Sequence, residues 1–225
     1  MTTPFYVSPE QVMKDRADYA RKGIARGRSL VALEYDDGIV IVAENPSNTL
    51  HKVSEIYDRI AFAGVGRYNE FDQLRIAGIR HADMKGFSYS REDVEARSLA
   101  NQYAQSLGQI FTNEMKPMEV EILVAEIGDD DTDDQMFHIL YDGTVNDEQE
   151  FTVLGGDASA LAERMESAYS ENLTLPKAIK AAQGALAGDD RTLEADDLEV
   201  AVLGRSNGRR TFKRIEGDDL LGLLS

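Results

Sequence analysis

The sequence predicts an α+β fold in packed layers, and three observations predict it. Segments of helical period and segments of period two alternate as helix, strands, two helices, strands, two helices, strands. The strand segments come in pairs joined by short turns, so they read as antiparallel hairpins rather than βαβ units. The later helices also come in pairs, as layers that cover sheets must. The chain has 225 residues, enough to bury roughly 70% of the unfolded surface, so the core needs no disulfide or metal staple. Cysteine is absent, which removes thiol catalysis and thiolate metal sites together. With 24 Lys+Arg against 41 Asp+Glu the net charge is −17. That acidity argues against a nucleic-acid partner, because phosphate binding relies on Lys/Arg neutralisation. No apolar run approaches the ~20 residues of a membrane span, and residues 1–18 lack the apolar stretch of a signal peptide. No membrane partner and a cytoplasmic location are therefore expected.

Taken in order, the chain opens with an aperiodic stretch, residues 1–8, expected to be a mobile tail. Ser8-Pro9-Glu10-Gln11 marks a helix start, with Ser8 as N-cap, proline at the first helical position and Gln11 completing a capping box. Val12, Met13, Ala17, Ala20 and Ile24 recur at helical spacing up to Gly27. Apolar runs at 29–35 and 39–43 flank Asp36-Asp37-Gly38 and form a hairpin. The polar loop Asn45-Pro46-Ser47-Asn48 leads to strands near 53–57 and 60–65. Two helices follow. One spans about 69–84; the other is capped by Ser90 with Asp93 three residues on, and carries Val94, Ala100, Tyr103, Leu107, Ile110 and Phe111 on one face.

The second half repeats the plan. Residues 120–127 and 135–141 alternate, and Asp142-Gly143 signals a tight hairpin turn. A short strand at 151–154 precedes Gly155-Gly156, and helices follow near 159–169 and 175–187, the first with Leu161, Met165 and Ala168 on one stripe. Residues 198–203 and 210–215 form a last hairpin around Ser206-Asn207-Gly208. With no linker in sight, residues 9–225 are expected to form a single domain.

Several segments invite a chemical reading. In the acidic run 129–134, Asp129, Asp131 and Asp133 match the first, third and fifth positions of a calcium loop. The sixth position is Asp134 instead of glycine and the twelfth is Leu140 instead of glutamate, so a solvated turn is the better reading. Gly64-Val65-Gly66 resembles a truncated dinucleotide fingerprint, but the third glycine is missing and the flanking strands read as antiparallel. His51, His81 and His138 show no ligand spacing. No metal and no cofactor is expected. Thr2 would become a terminal threonine on loss of Met1, with its own α-amine as base, the logic of a self-contained N-terminal threonine hydrolase. Lys52 stands alone between the polar loop and a strand.

As a whole the pattern resembles the α subunit of the 20S proteasome core particle, most closely the actinobacterial type. The resemblance rests on Phe5-Tyr6-Val7-Ser8-Pro9-Glu10-Gln11, on Asp18-Tyr19-Ala20-Arg21-Lys22-Gly23-Ile24-Ala25-Arg26, and on residues 40–46 and 52–58. It continues through Tyr68-Asn69-Glu70-Phe71-Asp72 and residues 116–126 and 198–203. It implies a four-layer αββα sandwich, the N-terminal-nucleophile hydrolase fold, with two antiparallel sheets between helix layers. In the family's catalytic β subunits the nucleophilic threonine is the first residue of the first strand. Here that strand opens at Arg28-Ser29-Leu30, and Thr2 is displaced by a whole helix. Glu44 falls where the family has an acidic residue and Lys52 where the β subunit keeps its catalytic lysine. The resemblance thus implies a catalytically silent subunit with no catalytic residue of its own.

By the same resemblance the chain forms the outer heptameric ring on itself, stacks on a β ring and docks a ring ATPase activator. Tagged (pupylated) proteins pass through as substrates in the actinobacterial setting. The tail Met1, Thr2, Thr3, Pro4, Phe5, Tyr6, Val7 and Ser8 would gate the central pore; it carries no Tyr-Asp pair of the kind that orders the open gate in archaeal and eukaryotic versions. Lys52 would receive the terminal carboxylate of an activator tail. The stripe Val12, Met13, Ala17, Ala20 and Ile24 is expected to be covered partly by its own domain and partly by a ring neighbour.

Overall fold

The computed structural model describes residues 8–130 and 133–225. Strands β1 (Leu30–Tyr35) and β2 (Gly38–Glu44) form the first hairpin, with Tyr35 opposite Gly38. A Cβ on Gly38 would lie 2.1 Å from the Leu203 carbonyl oxygen, and its φ of +146° is one that other residues rarely adopt. β3 (Val53–Tyr57) and β4 (Ile60–Gly66) form the second hairpin. β5 (Val120–Glu126), β6 (Gln135–Ile139), β7 (Val145–Glu148), β8 (Phe151–Leu154), β9 (Leu198–Gly204) and β10 (Phe212–Ile215) complete the strands. They assemble as two five-stranded antiparallel sheets, ordered β10-β9-β2-β1-β8 and β3-β4-β5-β6-β7. The antiparallel flanks of β4 dispose of the dinucleotide reading of Gly64-Val65-Gly66.

Helices cover both outer faces. α2 (Tyr68–Ser88) and α3 (Ala96–Asn113) pack Phe71, Leu74, Leu99, Tyr103 and Leu107 against Phe62, Val124 and Phe137 of the second sheet. α4 (Ala158–Ala168) and α5 (Leu175–Ala187) pack Leu161, Met165, Ile179 and Leu186 against Val31, Val40 and Val200 of the first. A third cluster lies between the sheets and includes Leu30, Ile39, Ile41, Val53, Leu123, Ala125 and Ala201. The architecture is the αββα sandwich. Every residue of β2 and of β9 is buried, the continuous burial expected of strands covered on both faces.

α1 (Pro9–Ile24) crosses an end of this sandwich, and its Ala20 and Ile24 join the core between the sheets. Three devices fix it. Ser8 Oγ accepts from the Gln11 amide at 3.2 Å, but Gln11 Nε2 turns to Asp15 Oδ1 at 2.7 Å, so only half of the capping box forms. Arg16 donates to the carbonyls of Phe111 and Glu114, both at 2.5 Å, and so caps the C-terminal end of α3 with a cation. Gly23 lets the helix approach Glu119, whose Oε1 would lie 2.1 Å from any Cβ there. Burial disfavours the Glu119 carboxylate, yet Lys116 at 2.8 Å and Arg67 at 3.0 Å outweigh that and hold its pKa below the usual range.

Some elements differ from the sequence expectation. Ser90 caps only a 3-10 turn, Arg91–Asp93, through the Glu92 amide at 3.4 Å. α3 begins at Ala96, and the Ala96 amide donates to Glu126 Oε2 of β5 at 2.7 Å. A cap supplied from a distant strand leaves no local signature. β6 stops at Ile139, short of 141, because Gly143 N turns back to Leu140 O at 3.0 Å and Leu140 N pairs with Thr144 O at 2.9 Å. The last strand starts at Phe212 rather than 210, after a 3-10 turn, Arg205–Asn207. α6 (Gly217–Leu224) has no counterpart among the expected elements; it buries Leu220 against the α5 layer. Among the described residues no helix is long and apolar enough to cross a membrane.

Candidate functional site

The start of β1, the end of β2 and the start of β3 bring Arg28, Glu44 and Lys52 together. The Lys52 ammonium donates to the Arg28 carbonyl oxygen at 2.6 Å. The Arg28 guanidinium turns to Glu44 Oε1, also at 2.6 Å. Glu44 is 5% exposed and takes a second cation, Arg191, at 3.0 and 3.2 Å. Arg191 is itself held by the Leu186 carbonyl at the end of α5 at 2.7 Å. Both carboxylate oxygens of Glu44 are thus engaged by guanidinium groups, Oε1 by Arg28 and Arg191 and Oε2 by Arg191.

A second buried carboxylate shapes the loop that carries Lys52. Glu199 of β9 is 7% exposed and points between the sheets, like Ala201 and Leu203 on the same strand. It accepts from the backbone amides of Lys52 at 2.8 Å and Val53 at 3.2 Å, from Asn45 Nδ2 at 2.7 Å and from Arg214. His51 Nδ1 stands 3.3 Å away. Asn45 also donates to the Leu50 carbonyl at 2.7 Å, closing the 45–50 loop on itself. Lys52 is thus placed by its backbone while its ammonium remains half-buried. Burial is the largest influence on that ammonium and lowers its pKa to about 8; Arg28 adds to the drop, and Glu44 and Glu199 oppose it.

The other residues singled out from sequence lie apart from this cluster. Residues 1–7, including Thr2, and residues 131 and 132 of the acidic run fall outside the described residues. Ser8 is the α1 N-cap. Of the α1 stripe, Ala20 and Ile24 are buried in the chain's own core and Ala17 packs beside them, while Val12 and Met13 are 37% and 38% exposed. In the acidic run, Asp129 is exposed and pairs with Arg59, but Asp134 is not solvated as the expected turn would have it: its side chain is 2% exposed and pairs with Arg205 after β9, each pair at 2.7 Å. Among the described residues no cluster of three or more His, Asp or Glu could hold a metal ion.

Glu199, Arg191 and Arg214 were absent from the sequence reading of this site. Their signal is a charge inside a buried strand. Leu198-Glu199-Val200-Ala201-Val202-Leu203 is apolar but for Glu199, and a carboxylate in such a run needs a cation.

An αββα sandwich with a lysine and a carboxylate converging just ahead of its first strand defines a class of fold and site; here the residue they meet is Arg28, which precedes the Leu30 that opens β1. The chain belongs to the proteasome subunit family: residues 24–203 match the family described as Proteasome subunit. It is 63% identical over 220 residues to a protein named Proteasome subunit alpha from Acidimicrobium ferrooxidans, covering 98% of this chain and 95% of that one. It is 56% identical to a protein of the same name from Xylanimonas cellulosilytica, over 96% and 93% of the two chains. A third so named, from Kineococcus radiotolerans, is 54% identical over 100% and 99%.

Proposed function

We propose that this chain is a non-catalytic α subunit of the proteasome core particle, which builds the outer heptameric ring, stacks on a catalytic β ring, gates entry and docks a ring ATPase. The observation that carries this reading is Arg28. Its carbonyl takes the Lys52 ammonium and its guanidinium takes Glu44, and by the family resemblance it lies where a catalytic subunit would carry its terminal threonine. A lysine and a carboxylate remain, without a nucleophile between them. The relatives named Proteasome subunit alpha support the α role. The nucleophile is then the β subunit's, the location cytoplasmic, and the substrates tagged, pupylated proteins fed by the ATPase.

Residues 1–8 are the gate in this reading, and residues 9–225 the body that holds it. α1 is fixed at the sandwich end by Arg16, Gly23 and Ala20, so it delivers the preceding segment to one place on the ring. Deleting residues 1–8 should raise peptide hydrolysis by the assembled particle in the absence of activator. An unchanged rate of fluorogenic peptide cleavage would remove the tail from the gating role.

The exposed half of the α1 stripe is the part offered to a ring neighbour. Met13→Asp places a charge on that surface without touching the chain's own core, whereas Ala20 is fully buried and its substitution would unfold rather than disassemble. Met13→Asp should therefore lower the ring fraction on size-exclusion chromatography with the melting temperature of the fold unchanged. Intact rings would exclude this stripe from the interface.

A further inference from the structure

The two open edges of the sandwich are fastened by different chemistry. At the β10–β3 edge the fasteners are arginines and backbone: Arg210 on Glu55 at 2.8 Å, Arg214 on the Val53 carbonyl at 2.7 Å, and the Thr211 amide on the Asp58 carbonyl at 2.9 Å. Arginine stays charged at every physiological pH. At the β8–β7 end the link between the sheets is Glu121 of β5, whose Oε2 takes the amide of Gly155, just after β8, and beside that carboxylate stands His138 of β6. It is 8% exposed and points between the sheets, as Met136 does two residues earlier.

Two carboxylates face it. His138 Nε2 stands 3.4 Å from Glu121 Oε2 of β5, and Nδ1 stands 3.8 Å from Glu148 Oε1 of β7. Nε2 is buried and not aligned for a hydrogen bond. Beyond Glu121 stand Tyr141, which follows β6, and Arg21 of α1, whose guanidinium lies 5.8 Å from the Tyr141 ring. β7 also brings Asn146, the register partner of His138. From the opposite sheet β8 brings Thr152 and Leu154, neither titratable. Glu34, toward the far end of β1, is engaged by the Glu150 amide at 3.3 Å. The imidazole is thus flanked by one carboxylate on each side of its own strand, so a protonated ring sets its positive charge between two negative ones. A neutral ring offers neither carboxylate a counter-charge.

We propose that His138, Glu121 and Glu148 form a pH-sensitive clasp that ties β5, β6 and β7 together on the face between the sheets, steadies Glu121 where it takes the Gly155 amide, and is firm when the imidazole is protonated. Burial opposes the charged ring, but the two carboxylates more than offset it and the His138 pKa is raised. The sign follows from linkage. A histidine with a raised pKa in the folded state contributes stability that is fully present below its unfolded pKa and fades as pH rises through the folded value. The clasp is therefore closed in mild acid and loosens toward the alkaline side of neutrality. Its position gives it reach. Glu121 Oε2 also takes the Gly155 amide at 3.4 Å, and the neighbouring Gly156 packs so closely on the Ala25 carbonyl, at the C-cap of α1, that a Cβ would come within 2.8 Å of it. Loosening this edge loosens the seat of α1.

Amide hydrogen exchange of the full chain, corrected for intrinsic rates and followed from mild acid to mild alkali, tests the clasp. Protection of residues 145–155 should fall with rising pH while the β10–β3 edge, measured in the same sample, holds. The expected loss is about tenfold for each pKa unit separating the folded and unfolded imidazole. His138→Gln should remove this pH response, and His138→Arg should keep the edge protected throughout. The His138 NMR titration in the unmodified chain decides independently if a variant fails to fold. A titration midpoint below the ordinary histidine value, or a pH response that survives in His138→Gln, would overturn the proposal.

Discussion

Lys52→Ala is expected to abolish ATPase-dependent degradation of folded, tagged substrate while the assembled particle still cleaves small peptides. In the proposed docking an incoming terminal carboxylate would compete with the Arg28 carbonyl for the Lys52 ammonium, by supplying a full counter-charge to a desolvated cation. A charge-assisted hydrogen bond of this kind contributes roughly 1.5–3 kcal/mol. One tail therefore binds weakly, and several tails around a ring gain from multivalency. The depressed pKa sets a pH dependence with a definite sign. Tail binding should be strongest below about 8, where the ammonium is charged, and should weaken by about tenfold for each pH unit above it, since binding must then take up a proton. Lys52→Arg keeps the charge but changes the donor geometry, so partial activity is expected. Wild-type degradation by Lys52→Ala would place the docking site elsewhere.

Glu199→Ala should produce the largest loss of stability of any single substitution at this site. It removes the acceptor of two backbone amides and of Asn45, and strands the Arg214 guanidinium, 21% exposed, without its main counter-charge. Breaking a buried ion pair by removing one partner costs about 3–5 kcal/mol. A thermal melt should show a drop of many degrees, with docking lost as well because the 45–52 loop loses its anchor. Glu199→Gln retains an acceptor and should fall between. A melting temperature within experimental error of the unsubstituted chain would refute this account of the loop. The two experiments separate, since Lys52→Ala should melt normally.

Much of the architecture was legible because periodicity reports burial directly. The hairpin at Asp36-Asp37-Gly38, the helix start at Ser8-Pro9 and the paired helices of each half all rest on local patterns that packing then exploits. The features that escaped are those whose cause lies elsewhere in the chain. Ser90 looked like the cap of α3, yet the amide that needs an acceptor finds Glu126 across the fold. The α1 stripe was visible, but which half would be buried depended on where the helix crosses the sandwich, and Ala20 and Ile24 turned inward while Val12 and Met13 stayed out. At the site, Lys52 and Glu44 could be picked from the sequence through the family resemblance. Arg191, Arg214 and Glu199 could not, because they are joined to Glu44 and to the Lys52 loop by contacts spanning 147 and more residues, or by a strand pairing that only the fold creates.

The central claim is that this chain is a silent ring-former that depends on a catalytic partner, and native mass spectrometry tests it most directly. Alone, the chain should appear as seven-membered rings or their stacked pairs. Mixed with a proteasome β subunit, it should shift to a larger particle containing both chains, and only that particle should hydrolyse peptide. A chain that stays monomeric under both conditions, or that hydrolyses peptide unaided, would contradict the account.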